Sequence, residues 1–239
     1  MRKSNRRKKV EATPSSINST PVKVEGDRPY KVYQTITVSI DWDSFQTKQK
    51  VDTDLRNQLI DLYYKLQDDP KDVIEPLEQI LNSKSGVPIV QLYLENAYRN
   101  TGESQKANEL ATEMFKKFPD TLIGKTAYIS FSIDNNDLES IPKILENKFD
   151  YKELYPNRNS FHIFEVISFL FAMGKYFTLT GEPEKATIYL EQITKIDPDN
   201  HYNKELEKFI SKKQGKENIF KRTIKKFKKS KKEDTETEQ

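Results

Sequence analysis

The residues whose types and spacing come nearest to catalytic chemistry are Asp41 and Asp43, which flank Trp42 at the end of an apolar alternating segment. Paired carboxylates are what nucleophilic and acid/base catalysis most often draws on. The two histidines, His162 and His201, stand far apart without the spacing of metal ligands, so each reads as a packing or capping residue. No glycine-rich phosphate loop, nucleophile elbow or HExxH occurs, and the seven glycines mostly mark turns. Cysteine is absent, which excludes disulfides and thiolate metal sites. The expectation is a chain that is not an enzyme, with no catalytic residue, metal or cofactor.

The segment that would position the aspartate pair runs from Tyr30 to Trp42. Tyr30, Val32, Ile36, Val38, Ile40 and Trp42 share one face; Lys31, Thr35, Thr37, Ser39 and Asp41 share the other. That period of two is a β-strand signal in an otherwise helical chain. An apolar strand ending in Asp41, Trp42 and Asp43 resembles the first motif of the haloacid-dehalogenase phosphatases, which implies one aspartate attacking phosphorus and the other working as acid/base. Such an enzyme needs alternating strands and helices and a parallel sheet, for which the helical repeats leave no room. The two aspartates therefore read as a strand end and the start of a loop. A lone strand leaves backbone groups unpaired. No other stretch is a convincing mate, so the segment is expected to pack along the first helices of the repeats, with dimerisation through it as the lesser alternative.

The helical pattern is clearest from Val87 to Pro119. Leu94 and Tyr98 lie one turn apart on a first helix, Gly102 breaks it, Ala107 is a small position on a second helix, and Pro119 closes the unit. These features resemble the tetratricopeptide repeat, although Glu95 and Ala111 depart from its usual small and aromatic residues. The small residue lets two helices approach, bulky residues fill the space between them, and proline stops the second helix. Val73, Ala107 and Ile141 recur at intervals of 34, as do the turn positions Asp68, Gly102 and Asn136. A fourth unit, Ile167 to Pro198, carries Met173, Gly174, Phe177, Gly181, Ala186, Leu190 and Pro198, and arrives about eleven residues late. The insertion falls at Phe149 to Ser160, which looks like a loop. In the third unit Ser132 stands where the aromatic should be.

Along the chain, Asp52–Leu66 and Lys71–Leu81 read as the first helix pair, with Pro76 kinking its second helix. Asn135, Asn136 and Asp137 form the turn of the third pair, and Pro142 sits near the start of the next helix. Phe161–Thr180 is a long helix apolar on more than one face, and Glu182–Lys195 follows it. Asn203–Lys213 reads as the capping helix a solenoid needs. The expected fold is all-α: a tetratricopeptide-like solenoid of about four helix pairs plus a capping helix, with one N-terminal extended segment.

Composition divides the chain further. It is 35% apolar and 32% charged over 239 residues, and its net charge of +3 conceals +5 in residues 1–30, −8 in residues 31–211 and +6 in residues 212–239. The expected organisation is a disordered basic arm (1–29), an extended segment and linker (30–51), the repeat domain (52–213), and a basic amphipathic tail with an acidic tip (214–239). No apolar stretch follows the basic N-terminus and none is long enough to span a bilayer, so a cytoplasmic protein is expected. Arg6, Arg7, Lys8 and Lys9 in one arm, and Lys221, Arg222, Lys225, Lys226, Lys228 and Lys229 in the other, are candidate contacts for nucleic acid or, less favoured, a membrane surface. Phe220, Ile224 and Phe227 give the tail a narrow apolar stripe.

The resemblance implies a concave face, built from first helices, that binds a peptide or partner protein. Its groove positions fall at Gln58, Leu62 and Lys65, at Leu92, Asn96 and Arg99, and at Phe171, Lys175 and Thr178. Of these, Asn96, Arg99 and Lys175 suit a peptide backbone and an acidic group. The family's two-carboxylate clamp is not reproduced, so a C-terminal carboxylate ligand is not expected. The leading expectation is a protein-interaction scaffold binding a peptide or protein, with no small-molecule substrate. The alternative is an RNA- or ribosome-associated factor that uses both basic arms.

Overall fold

The computed structural model describes residues 37–39, 51–84 and 87–215. Asp41, Asp43, both basic arms and most of the Tyr30–Trp42 segment lie outside the described residues. The described chain is helical apart from a short strand pairing. In order come β1 (Thr37–Ser39), α1 (Thr53–Asp68), a 3-10 turn (Pro70–Val73), α2 (Ile74–Ser83), α3 (Pro88–Asn100), α4 (Ser104–Lys117), α5 (Leu122–Asp134), α6 (Ser140–Ile144), α7 (Tyr151–Leu154), β2 (Ser160–His162), α8 (Ile163–Leu179), α9 (Pro183–Ile196) and α10 (residues 201–215).

Local chemistry starts these helices where they start. Asp52 caps α1 by accepting the Leu55 N–H at 2.8 Å, and Thr121 caps α5 by accepting that of Gly124 at 3.1 Å. Proline stands at the start of α3 (Pro88) and α9 (Pro183), where its missing N–H costs nothing. Pro76 does not kink a helix as expected. The 3-10 turn takes up residues 70–73, so Pro76 falls in the first turn of α2, where no intrahelical donor is lost.

Three of the four helix pairs share one turn. Gly102, Asn136 and Gly181 adopt φ of 84°, 57° and 81°, and the next residue in each case donates its N–H to the carbonyl five residues back at 2.8 Å. The first and last of these turns share more. In Thr101–Gly102–Glu103 and Thr180–Gly181–Glu182 the threonine hydroxyl bonds a carbonyl of the helix just ended. The glutamate then pairs with a lysine three residues on, Lys106 or Lys185, whose ammonium also lies over the ring of Tyr98 or Phe177.

The third pair is cut short. α6 has only five residues, and just beyond it Glu146 and Asn147, both at positive φ, turn the chain. The stretch expected as a loop holds α7 and leads into β2, which answers the question of the strand's mate. β1 pairs in parallel with β2, Thr37 opposite Ser160 and Ser39 opposite His162. The described part of the extended segment, Thr37–Ser39, is therefore paired with a strand rather than simply laid along the helices.

Neighbouring helices pack in succession, α3 on α4, α4 on α5, α5 on α8 and α8 on α9. α3 is buried on nearly every side from Pro88 to Tyr98. The chain also closes on itself. Tyr63 of α1 packs edge-on against Phe164 of α8 and tilted against Tyr93 of α3. Its hydroxyl donates to Asp197 at 3.2 Å and accepts from Asn200 at 3.4 Å, just ahead of α10. In α10, Tyr202, Leu206 and Ile210 are buried; Tyr202 stacks on Phe171 at 4.1 Å and donates its hydroxyl to Asn96.

Candidate functional site

Closure leaves a pocket of about 150 Å³ among the inner helices. α3 contributes Glu95, Asn96 and Arg99, α5 contributes Thr126, Ile133 and Asp134, α8 contributes Ser168, Phe171 and Lys175, and α10 contributes Tyr202 and Glu205. Helical periodicity sets these positions: Asn96 and Arg99, Ser168 with Phe171 and Lys175, and Tyr202 with Glu205 are one or two turns apart on a single face.

Four of the groove positions proposed from sequence, Asn96, Arg99, Phe171 and Lys175, meet in this pocket. Gln58 and Lys65 are exposed on α1 and do not line it, while Leu62 is buried in the core. Asn96 is occupied from within, donating to the Leu92 carbonyl at 2.8 Å and accepting from Tyr202. Arg99 is occupied too. Its Nε bonds Glu95, its Nη1 bonds Asp134, and its Nη2 reaches Asn108 at 3.3 Å. Lys175 lies over two rings instead, 5.4 Å from the centroid of Phe171 and 5.6 Å from that of Phe209.

The electrostatics follow from burial. Burial pushes the Glu95 carboxyl above the usual carboxylate range, and Arg99 only partly offsets it. For Arg99 burial opposes the charge, but the Glu95 and Asp134 carboxylates outweigh it and raise the pKa. Glu205 is likewise raised by burial, with Lys175 pulling the other way.

Two hydroxyls complete the lining. Thr112, Thr178, Thr187 and Thr194 each donate to the carbonyl four residues back, the usual outlet for a helical threonine. Thr126 and Ser168 do not. Both are buried, 3% and 5% exposed, and both line the pocket with no hydrogen-bond partner among the described residues. Their donors and lone pairs are left for whatever enters. Thr126 was within reach of the sequence: the interval of 34 that relates the turn positions carries Leu92 to Thr126 and Asn96 to Ser130. Tyr202 and Glu205 had no such signal, because closure of the chain brings them in.

Among the described residues no group of histidines and carboxylates is placed to hold a metal ion, and no helix is long and apolar enough to cross a membrane. No protein-family model, curated protein or solved structure matches this chain.

Proposed function

We propose that this protein is a non-catalytic interaction scaffold, a tetratricopeptide-like solenoid whose inner helices bind a segment of a partner protein. The observation that carries the reading is the pocket itself. Residues from α3, α5, α8 and α10 converge on one residue-sized space, and two buried hydroxyls within it lack partners among the described residues. Buried polar groups are satisfied in the great majority of folded proteins, so such a pair marks where a ligand or ordered water belongs. The recurring turns and the interval of 34 residues support the repeat architecture.

Site-directed photocross-linking tests this. A photoreactive residue at Ile133, on the pocket wall, is expected to capture a discrete partner, and Ser168→Leu, which fills the space, is expected to abolish capture. The same probe at the exposed Gln58 serves as control. The basic arms support a second reading, RNA or ribosome binding, by their charge of +5 and +6. Under that reading affinity falls steeply with salt, is lost on neutralising the arm lysines and arginines, and ignores Ser168→Leu.

A further inference from the structure

We propose that the pocket receives a primary ammonium group, presented as a lysine side chain by the partner segment. The inference rests on the scaffold reading above and adds the chemistry of the ligand. Five charged side chains line the space: Glu95, Asp134 and Glu205 against Arg99 and Lys175. Arg99 is engaged through all three nitrogens by the chain's own oxygen atoms, so it is not a cation awaiting an anion. Lys175 makes no ion pair among the described residues, and its ammonium is met by the faces of Phe171 and Phe209. One negative charge is left over.

An entering carboxylate would face three carboxylates against two cations, of which Arg99 is already engaged and Lys175 lies over two rings. An entering ammonium would face acceptors: the hydroxyl oxygens of Thr126 and Ser168 and the rim carboxylates of Asp134 and Glu205. Three donors on a compact head suit two hydroxyls and a carboxylate better than a planar guanidinium does. The apolar lining, Ile133, Phe171 and Ala172, is what a lysine's methylene stem lies against. Residues 31–211 carry a charge of −8, which draws a basic segment toward the pocket before any contact forms. The raised Glu95 carboxyl points the same way, since an added cation relieves the charge that burial penalises.

The test titrates the full chain, methyl-labelled at threonine, isoleucine and alanine, with the N-acetyl methylamide of lysine and separately with that of glutamate. The lysine compound is expected to shift the methyl signals of Thr126, Ile133 and Ala172 saturably. Glu205→Gln, isosteric and on the rim, is expected to weaken binding roughly tenfold, and Lys175→Met, which removes a like charge from the pocket, to tighten it. Binding of the glutamate compound, abolished by Lys175→Met, would overturn the ammonium assignment and leave the scaffold standing. Tighter lysine binding after the tail's basic residues are changed to glutamine would show that the chain's own tail fills the pocket, overturning the assignment to a partner. Silence from both compounds would also overturn the assignment, and the scaffold would then stand or fall on the Ile133 cross-link.

Discussion

Arg99 joins two helices, holding Glu95 on its own helix and Asp134 on α5, and the Glu95 side chain beneath it is only 2% exposed. Removing the guanidinium strands a buried carboxylate. Arg99→Met is therefore expected to cost about 3 kcal/mol in urea unfolding, with Glu95→Leu in the same chain restoring most of it, because an apolar pair removes the unpaired charge. It follows that Asn96 and Arg99 are poor places to test partner binding: both hold the fold, whereas Lys175 and Glu205 stand nearer the solvent. Composition could not show this, since the sequence places a candidate side chain on a helix face without saying which neighbour reaches it first. His162 is another residue with a structural task. It caps α8, its Nδ1 accepting the Phe164 N–H at 3.2 Å, and burial with Arg158 nearby lowers its pKa from 6.5 to about 3. Below pH 6.5 the unfolded chain binds a proton that the folded one refuses, so stability present at pH 7 is lost as pH falls from about 6.5 toward 3. His162's own share of the loss between pH 7 and pH 5 is expected to be about 2 kcal/mol, with His201, lowered by burial to about 4, adding a slope of the same sign whether or not His162 is present. His162→Asn keeps a capping acceptor and removes the His162 share; the buried carboxyls whose pKa is raised, Glu95 and Glu165, act with the opposite sign but equally in both proteins.

At the scale of elements, Gly174 sets how closely α10 lies on α8. A Cβ built there would come within 2.5 Å of Leu206 Cδ2 and 3.0 Å of its Cδ1. Gly174→Ala is a favourable change for an isolated helix, yet here it is expected to destabilise by about 2 kcal/mol through overpacking. Leu206→Ala alone opens a cavity and is expected to cost about 3 kcal/mol. Together the two changes should cost clearly less than their sum in urea unfolding, because each relieves the other; simple additivity would mean that the approach is not what Gly174 provides. Elements of this kind were partly legible. The turns at Gly102 and Asn136 fall where the interval predicts, and that at Gly181 where its own glycine marks it eleven residues late, because a left-handed residue is a local requirement that glycine and asparagine announce. β2 was not legible, since three residues give no alternation to detect and their pairing with β1 spans more than 120 positions. Nor was the short α6, whose helix signal looks like its neighbours' until Glu146 and Asn147 turn the chain away.

For the whole molecule, an open solenoid has contacts only between neighbouring repeats, and its ends can fray independently. The interval of 34 residues predicts that arrangement, and the described helices from α3 onward do pack on their neighbours in succession. The departure lies in three hydrogen bonds that join residues far apart in sequence: Tyr202 to Asn96 over 106 positions, Tyr63 to Asp197 over 134, and Asn200 to Tyr63 over 137. No periodicity reports such contacts, because they depend on how far successive helix pairs rotate. Their physical consequence is cooperativity. α1 and α10 are expected to open together with the core, so that amide hydrogen exchange in Leu59–Leu66 and in Tyr202–Ile210 reports one free energy of opening, close to that of global unfolding. Tyr63→Ala removes the edge-on ring contact with Phe164 as well as both hydrogen bonds, and is expected to lower protection in α10 as well as in α1, although the two helices are more than 130 residues apart. A loss of protection confined to α1 would mean that the ends of the chain behave as an open solenoid, and the pocket would then have to be formed by α3, α5 and α8 without the wall that α10 supplies.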